Sequence, residues 1–166
     1  EYILFHGNLS VPENESAILY LIDKVLSKIT FPVIIAGKNP GKVLTRVCNK
    51  YSHIELLPNV SDERMNQLIC EAHINLLYTY QPTGLKLKLL HSLYAGRFCL
   101  TNLLMLSGSG LDDLCHIYNN PEHALSLINQ LMLEEFPAES VEKRAKELAE
   151  FNNQTNAEKI ISLLET

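Results

Sequence analysis

The sequence has no tryptophan, only four cysteines and seven glycines in 166 residues, and no cluster of basic side chains. Each shortage excludes a class of protein. The cysteines (Cys48, Cys70, Cys99 and Cys115) are far apart, with no CxxC pair and no clustered ligands around them. This pattern predicts neither a disulfide framework nor a metal site, and most of the four read as buried thiols in a reducing, cytoplasmic compartment. A net charge of −5 without a basic stripe leaves no electrostatic footprint for nucleic acid. No apolar run approaches the roughly 18 residues of a membrane span, and no secretory leader is visible. The two common phosphate loops are missing as well. GxGxxG does not follow the first strand-like run, and GxxxxGK[ST] occurs nowhere. Ser107-Gly108-Ser109-Gly110 has GxG spacing but follows the fifth strand and reads as a loop.

What is present is a chain 46% hydrophobic and 20% charged. A chain of this size buries about 70% of its unfolded surface, enough for one domain with a real core. The opening EYILFHG, strand-like from its second residue and without an initiating methionine, reads as the start of an excised fragment.

Short apolar runs alternate with longer amphipathic ones. Strands are expected at YILFH (2–6), PVIIAG (32–37), HIELL (53–57), INLLYT (74–79), RFCLTN (97–102) and CHIY (115–118). Helices are expected after Ser16, after Asn39-Pro40-Gly41, over 61–72 with Ser61 as cap, over the segment after Pro82, and from Pro121. Arg64 stands where a full capping box would carry Glu or Gln. A charged helical tail, 137–166, breaks near Asn152-Asn153. Strands that are continuously apolar and alternate with helices predict a Rossmann-like doubly wound α/β domain. Its sheet is parallel, of about six strands, with helices on both faces. Ligands bind such sheets beyond the carboxyl ends of the strands.

One of those ends carries an anomaly. In QPTGLKLKLLHSLYAGRFCLTN (81–102) a helix bears Lys86 and Lys88 at its own positive end. Cations there forfeit roughly 0.3–1 kcal/mol each, a conflict that an outside anion would remove. With Thr83 as cap, Lys88, His91, Ser92 and Ala95 share one strip of the helix, and Gly84 leaves room for close approach to backbone N–H groups. Lys86 is expected to snorkel outward. Gly7, straight after the first strand, offers a second close approach. Read on helix geometry alone, Lys88 could equally be a solvated lysine and Gly7 a plain turn.

The segments YILFHGNLSVPENESA, FPVIIAGKNPG, HIELLPNVSDERMNQLICEAHINLLYT and TGLKLKLLHSLYAGRFCLTN together resemble the C-terminal, nucleotide-sugar-binding domain of GT-B glycosyltransferases, of the family-4 type. The resemblance runs from Tyr2 to about Leu133. It implies a UDP- or GDP-linked sugar as donor substrate and no resident cofactor. It also implies hexosyl transfer, most often with retention, in polysaccharide or glycoconjugate synthesis. The expected partner is an absent N-terminal acceptor domain, which could hold the protein peripherally at a membrane.

By the same resemblance the donor would contact Gly7, Asn8, Asn59, Val60, Thr83, Gly84, Leu85, Lys88 and His91, with Lys88 on the pyrophosphate. Catalytic residues are not assigned. Thr83 and His91 stand where the family usually has two glutamates, and Asn8 stands where many members begin an Arg–Lys pair. A degenerate, non-catalytic interaction module is therefore the alternative reading. His6, at the end of the first strand, is open to either a donor contact or a structural role, and His73 is expected to be structural.

Overall fold

A computed structural model describes residues 1–83 and 86–164. Six strands form one parallel sheet: β1 (Ile3–Asn8), β2 (Val33–Lys38), β3 (Ile54–Pro58), β4 (Ile74–Leu77), β5 (Phe98–Asn102) and β6 (His116–Tyr118). Their order is β3-β2-β1-β4-β5-β6. The helices are α1 (Pro12–Lys24), α2 (Lys42–Cys48), α3 (Asp62–Glu71), α4 (Leu87–Ala95), α5 (Leu103–Leu106), α6 (Pro121–Leu131), α7 (Ala138–Glu147) and α8 (Asn153–Leu164).

Alternate residues of each strand feed opposite cores, because successive side chains point to opposite faces. Ile3, Phe5, Val33, Ile35, Ile74, Leu76, Phe98 and Leu100 pack with buried residues of α1, α2 and α6. On the other face Leu4 and Ala36 meet Leu68 and Ile69 of α3, and Leu77 and Cys99 meet Leu89 and Leu93 of α4. Both faces of the sheet are thus largely apolar, which is why the strands read as hydrophobic runs rather than as alternating ones, with Asn75 and Thr101 the buried polar exceptions in β4 and β5.

Several local expectations hold. Ser61 Oγ accepts from the Arg64 N–H, so half a capping box suffices to start α3. Pro121 occupies the first turn of α6, whose cap is Asn120. The tail passes from α7 through a 3₁₀ turn (Leu148–Phe151) into α8 at Asn153. His73 is structural: it is buried, and its Nε2 lies 2.7 Å from the Leu131 carbonyl oxygen.

Three expectations need correction. The strand at INLLYT stops at Leu77, because Thr79 turns to pair with the Asn102 side chain rather than with a neighbouring strand. Cys70 is exposed, since Leu68 and Ile69 take the inner side of α3 and Cys70 lies a further turn of about 100° round it. Helix α4 begins at Leu87, with Lys86 rather than Thr83 at its cap position.

Where β1 and β2 end, Gly7 pairs with Gly37. A Cβ on Gly37 would run into the Gly7 carbonyl oxygen and lie 2.8 Å from Leu9 Cγ. Gly37→Ala is therefore expected to destabilise the fold by about 3 kcal/mol, since backbone cannot yield as a flexible side chain can. Gly108→Ala, in open space at φ 74°, should cost roughly 1–2 kcal/mol. Urea unfolding of the two variants against the parent checks the order.

Candidate functional site

The strand order reverses between β1 and β4, and the loops leaving their carboxyl ends diverge to opposite faces: β1 into α1, β4 towards α4. That divergence opens a crevice, the usual ligand position in a doubly wound sheet.

Lys88, the second residue of α4, reaches across the strand ends and donates to Asn14 Oδ1 at 3.1 Å. Asn14 in turn donates from Nδ2 to the Asn8 carbonyl oxygen at 2.9 Å. Its carboxamide lies where a side chain on Gly7 would have pointed, 3.6 Å from an ideal Cβ there. Gly7, Asn8, Asn14 and Lys88 therefore form one group. The Lys88 ammonium lies 6.0 Å from the Phe5 ring centroid, at the outer limit of a cation–π contact. Among the described residues no carboxylate comes within 4.0 Å of it.

Burial pulls the Lys88 pKa below the ordinary lysine value; Glu13 acts in the opposite direction and Lys86 adds to the fall. Glu13, in the first turn of α1, is held by the Thr79 hydroxyl, which donates to its Oε1 at 2.6 Å. Thr79 is clamped by Asn102, which donates to its carbonyl and accepts from its N–H, so β4, β5 and α1 are joined at the crevice.

The amino end of α4 is short of negative charge. It has no side-chain cap and no acidic residue in its first turn. Lys86 donates to the Thr83 carbonyl at 2.6 Å in an exposed bond, its charged head directed out of the first turn.

His91 lies one helical turn beyond Lys88, half-buried, with its ring edge-on to His6 at a centroid distance of 6.4 Å. His6 is buried and its Nε2 lies 3.1 Å from Ser92 Oγ. Burial above all, with His91 and Lys88 adding to it, pushes the His6 pKa down to about 3. A neutral His6 thus forms the floor under the cationic edge.

The remaining expected residues fall elsewhere. Asn59 and Val60 follow β3, with β2 lying between that strand and β1. Asn59, at φ 54°, accepts the Asn39 N–H on its Oδ1, and Asn39 is itself at φ 49°. The two left-handed asparagines clasp neighbouring loops, a conformation this residue type tolerates. Val60 is partly buried against the cluster formed by Leu4, Ala36, Leu68, Ile69 and Ala72. Thr83 is exposed, while Gly84 and Leu85 lie outside the described residues. Asn8 spends its side-chain oxygen on Ser10 N–H and Oγ. Asn14, Glu13 and Thr79 are absent from the residues expected on sequence grounds. Pro12 marks the first turn of α1, and that alone could have placed Glu13 and Asn14 over the end of β1.

Among the described residues no three His, Cys, Asp or Glu side chains cluster as metal ligands, and no helix is long and apolar enough to cross a membrane.

No protein-family model matches the sequence, and neither does any curated protein. Solved structures do match. An α,α-trehalose-phosphate synthase (UDP-forming) from Burkholderia xenovorans, in complex with glucose-6-phosphate, aligns over 100% of this chain and 44% of its own, with TM-score 0.71 and 10% identity. A glycosyltransferase involved in avilamycin A biosynthesis aligns over 98% and 50%, with TM-score 0.62 and 16% identity. The E. coli trehalose-6-phosphate protein bound with UDP-2-fluoro glucose aligns over 89% and 39%, with TM-score 0.62 and 10% identity. The chain thus spans half or less of the length of these proteins, and it shares the Rossmann/GT-B-like fold of the part it aligns with.

The buried, neutral His6 gives a stability test. Its folded pKa lies below the unfolded value of about 6.5, so its contribution is complete above that pH and is lost as pH falls towards 3. Stability should decline by up to about 1.4 kcal/mol per pH unit through this window on account of His6. His6→Gln should flatten that slope in urea titrations run across it.

Proposed function

We propose that the chain is the C-terminal, donor-binding half of a GT-B glycosyltransferase, binding a nucleoside-diphosphate sugar, UDP- or GDP-linked, for hexosyl transfer. The observation that carries this reading is the amino end of α4, with Lys88 above it, no acid in its first turn, and Gly7 across the crevice. A helix N-terminus beside a lysine is a seat for phosphate, and the strand reversal is where doubly wound sheets hold nucleotides. The E. coli protein of the same fold holds UDP-2-fluoro glucose, which supports the same ligand class here.

In this mechanism the diphosphate displaces the Asn14 amide from Lys88 and lies along the start of α4. Negative charge grows on the diphosphate as the sugar leaves, and the fixed ammonium and helix dipole stabilise it without reorganising. His91, one turn on, offers a ring nitrogen to a ribose hydroxyl. Glu13 accepts from Thr79 and forms no ion pair with Lys88 among the described residues, which leaves the cation available to the ligand. The acceptor site and any catalytic base belong to the other half of the enzyme, so this chain alone binds donor and turns it over poorly.

A second reading, a transferase-like module that binds a protein and no nucleotide, is favoured by Thr83 and His91 standing where carboxylates would engage a donor. Calorimetric titration with UDP, GDP and their sugar conjugates separates the two. One nucleotide should bind, and Lys88→Ala should weaken it about 10- to 150-fold, the value of a hydrogen bond to a charged group. Binding unchanged in the variant would remove Lys88 from the site. No binding by the full-length protein would leave the module reading.

A further inference from the structure

At the opposite end of the sheet, where β5 and β6 begin, a cavity of about 260 Å³ lies between these strands and the start of α7. Arg144 lines it and is only 7% exposed. Its guanidinium carbon lies 4.9 Å from the Phe136 ring centroid, and Nη1 donates to the Gly96 carbonyl at 2.8 Å. Among the described residues no carboxylate lies within 4.0 Å of this cation. A guanidinium has five N–H donors, and one carbonyl with one ring face leaves most of them unmatched. A buried charge without a counter-charge costs several kcal/mol, and burial indeed draws the Arg144 pKa downward.

The other lining groups have the chemistry to share an anion. Ser140, in the first turn of α7, contributes a hydroxyl beside that helix's amino end. Lys143 is held at the rim by the Asp113 carbonyl, to which it donates at 2.9 Å, and His116 stands at the start of β6. Glu134 also lines the cavity, but one of its carboxylate oxygens is taken by the Gln130 amide at 2.8 Å. The Asp113 carboxylate is the second acidic group present. Two fixed cations, one of them buried, thus stand against two carboxylates belonging to exposed residues.

We propose that this cavity is a second anion site, separate from the α4 crevice, which binds a phosphate group through Arg144, Lys143 and Ser140. Its volume exceeds that of a bare phosphate, so a phosphomonoester with a small organic substituent fits as well as free phosphate. The site does not depend on the donor reading, because it shares no residue with the crevice.

The test uses the full-length protein carrying Lys88→Ala, which removes the crevice cation. Calorimetric and thermal-shift titrations with inorganic phosphate and with glycerol 3-phosphate should show saturable binding at millimolar concentration. Lys143→Ala should weaken it about tenfold and Arg144→Lys at least as much, each losing a charge-assisted hydrogen bond. Lys143 is exposed, so its replacement keeps the fold even if the Arg144 variant is unstable. Tighter glycerol 3-phosphate binding would identify a phosphomonoester ligand, and tighter phosphate binding the free anion. Absence of saturable binding, or binding unchanged by Lys143→Ala, would overturn the proposal.

Discussion

Two helices that pack on opposite faces of the sheet are joined over its carboxyl edge by the hydrogen bond from the Lys88 ammonium to the Asn14 amide oxygen. The rest of the crevice follows from what that contact needs. The Asn14 amide packs over Gly7, and Gly7 can sit so close to β2 because Gly37 has no side chain. Burial lowers the Lys88 pKa and Glu13 acts against that fall, while Thr79 keeps the Glu13 carboxylate occupied. An amide oxygen is a neutral partner for a cation and is readily exchanged for an anion, since charge-assisted bonds are roughly twice as strong.

The two cationic sites solve the same problem differently. In the crevice a lysine is only half-buried, so water and a neighbouring acid limit the cost of its charge. At the other end of the sheet an arginine is almost fully enclosed and relies on an aromatic face and one carbonyl. Arginine suits that position because its delocalised charge is weakly hydrated and stacks on rings.

Much of the fold was legible because its signals are local and redundant. Both faces of every central strand are covered, so Ile3 to Phe5 and Val33 to Ala36 are wholly apolar, and Ile74 to Leu77 is apolar except for the buried Asn75. A parallel doubly wound sheet follows from such runs separated by helices. Ser61, Pro121 and the Asn152-Asn153 break acted as the punctuation they resembled. The start of α4 was harder to read because Thr83-Gly84 is a good cap pair on paper, while the chain forms its first helical turn at Leu87. The group round Asn14 was legible only in part. Gly7, Asn8, Lys88 and His91 could be named from their place after strands or on one helix strip. Glu13 and Thr79 are joined only in three dimensions, 66 positions apart. Asn59 shows the converse: a residue after a strand whose side chain is committed to a neighbouring loop.

The strand order also governs how the crevice is assembled. β1 pairs with β2 and β2 with β3, each with its successor in sequence, whereas β1 meets β4 through Ile3 and Ile74, across the whole first half of the chain. Closing so long a loop carries an entropy cost that grows only slowly with length, but it must be met before the contact is rewarded. Gly7 and Asn14 lie on one side of that seam and Lys88 and His91 on the other. The crevice is therefore a product of docking between two βαβ halves, and whatever loosens the β1–β4 seam takes the binding edge apart while each half can keep its own strands paired.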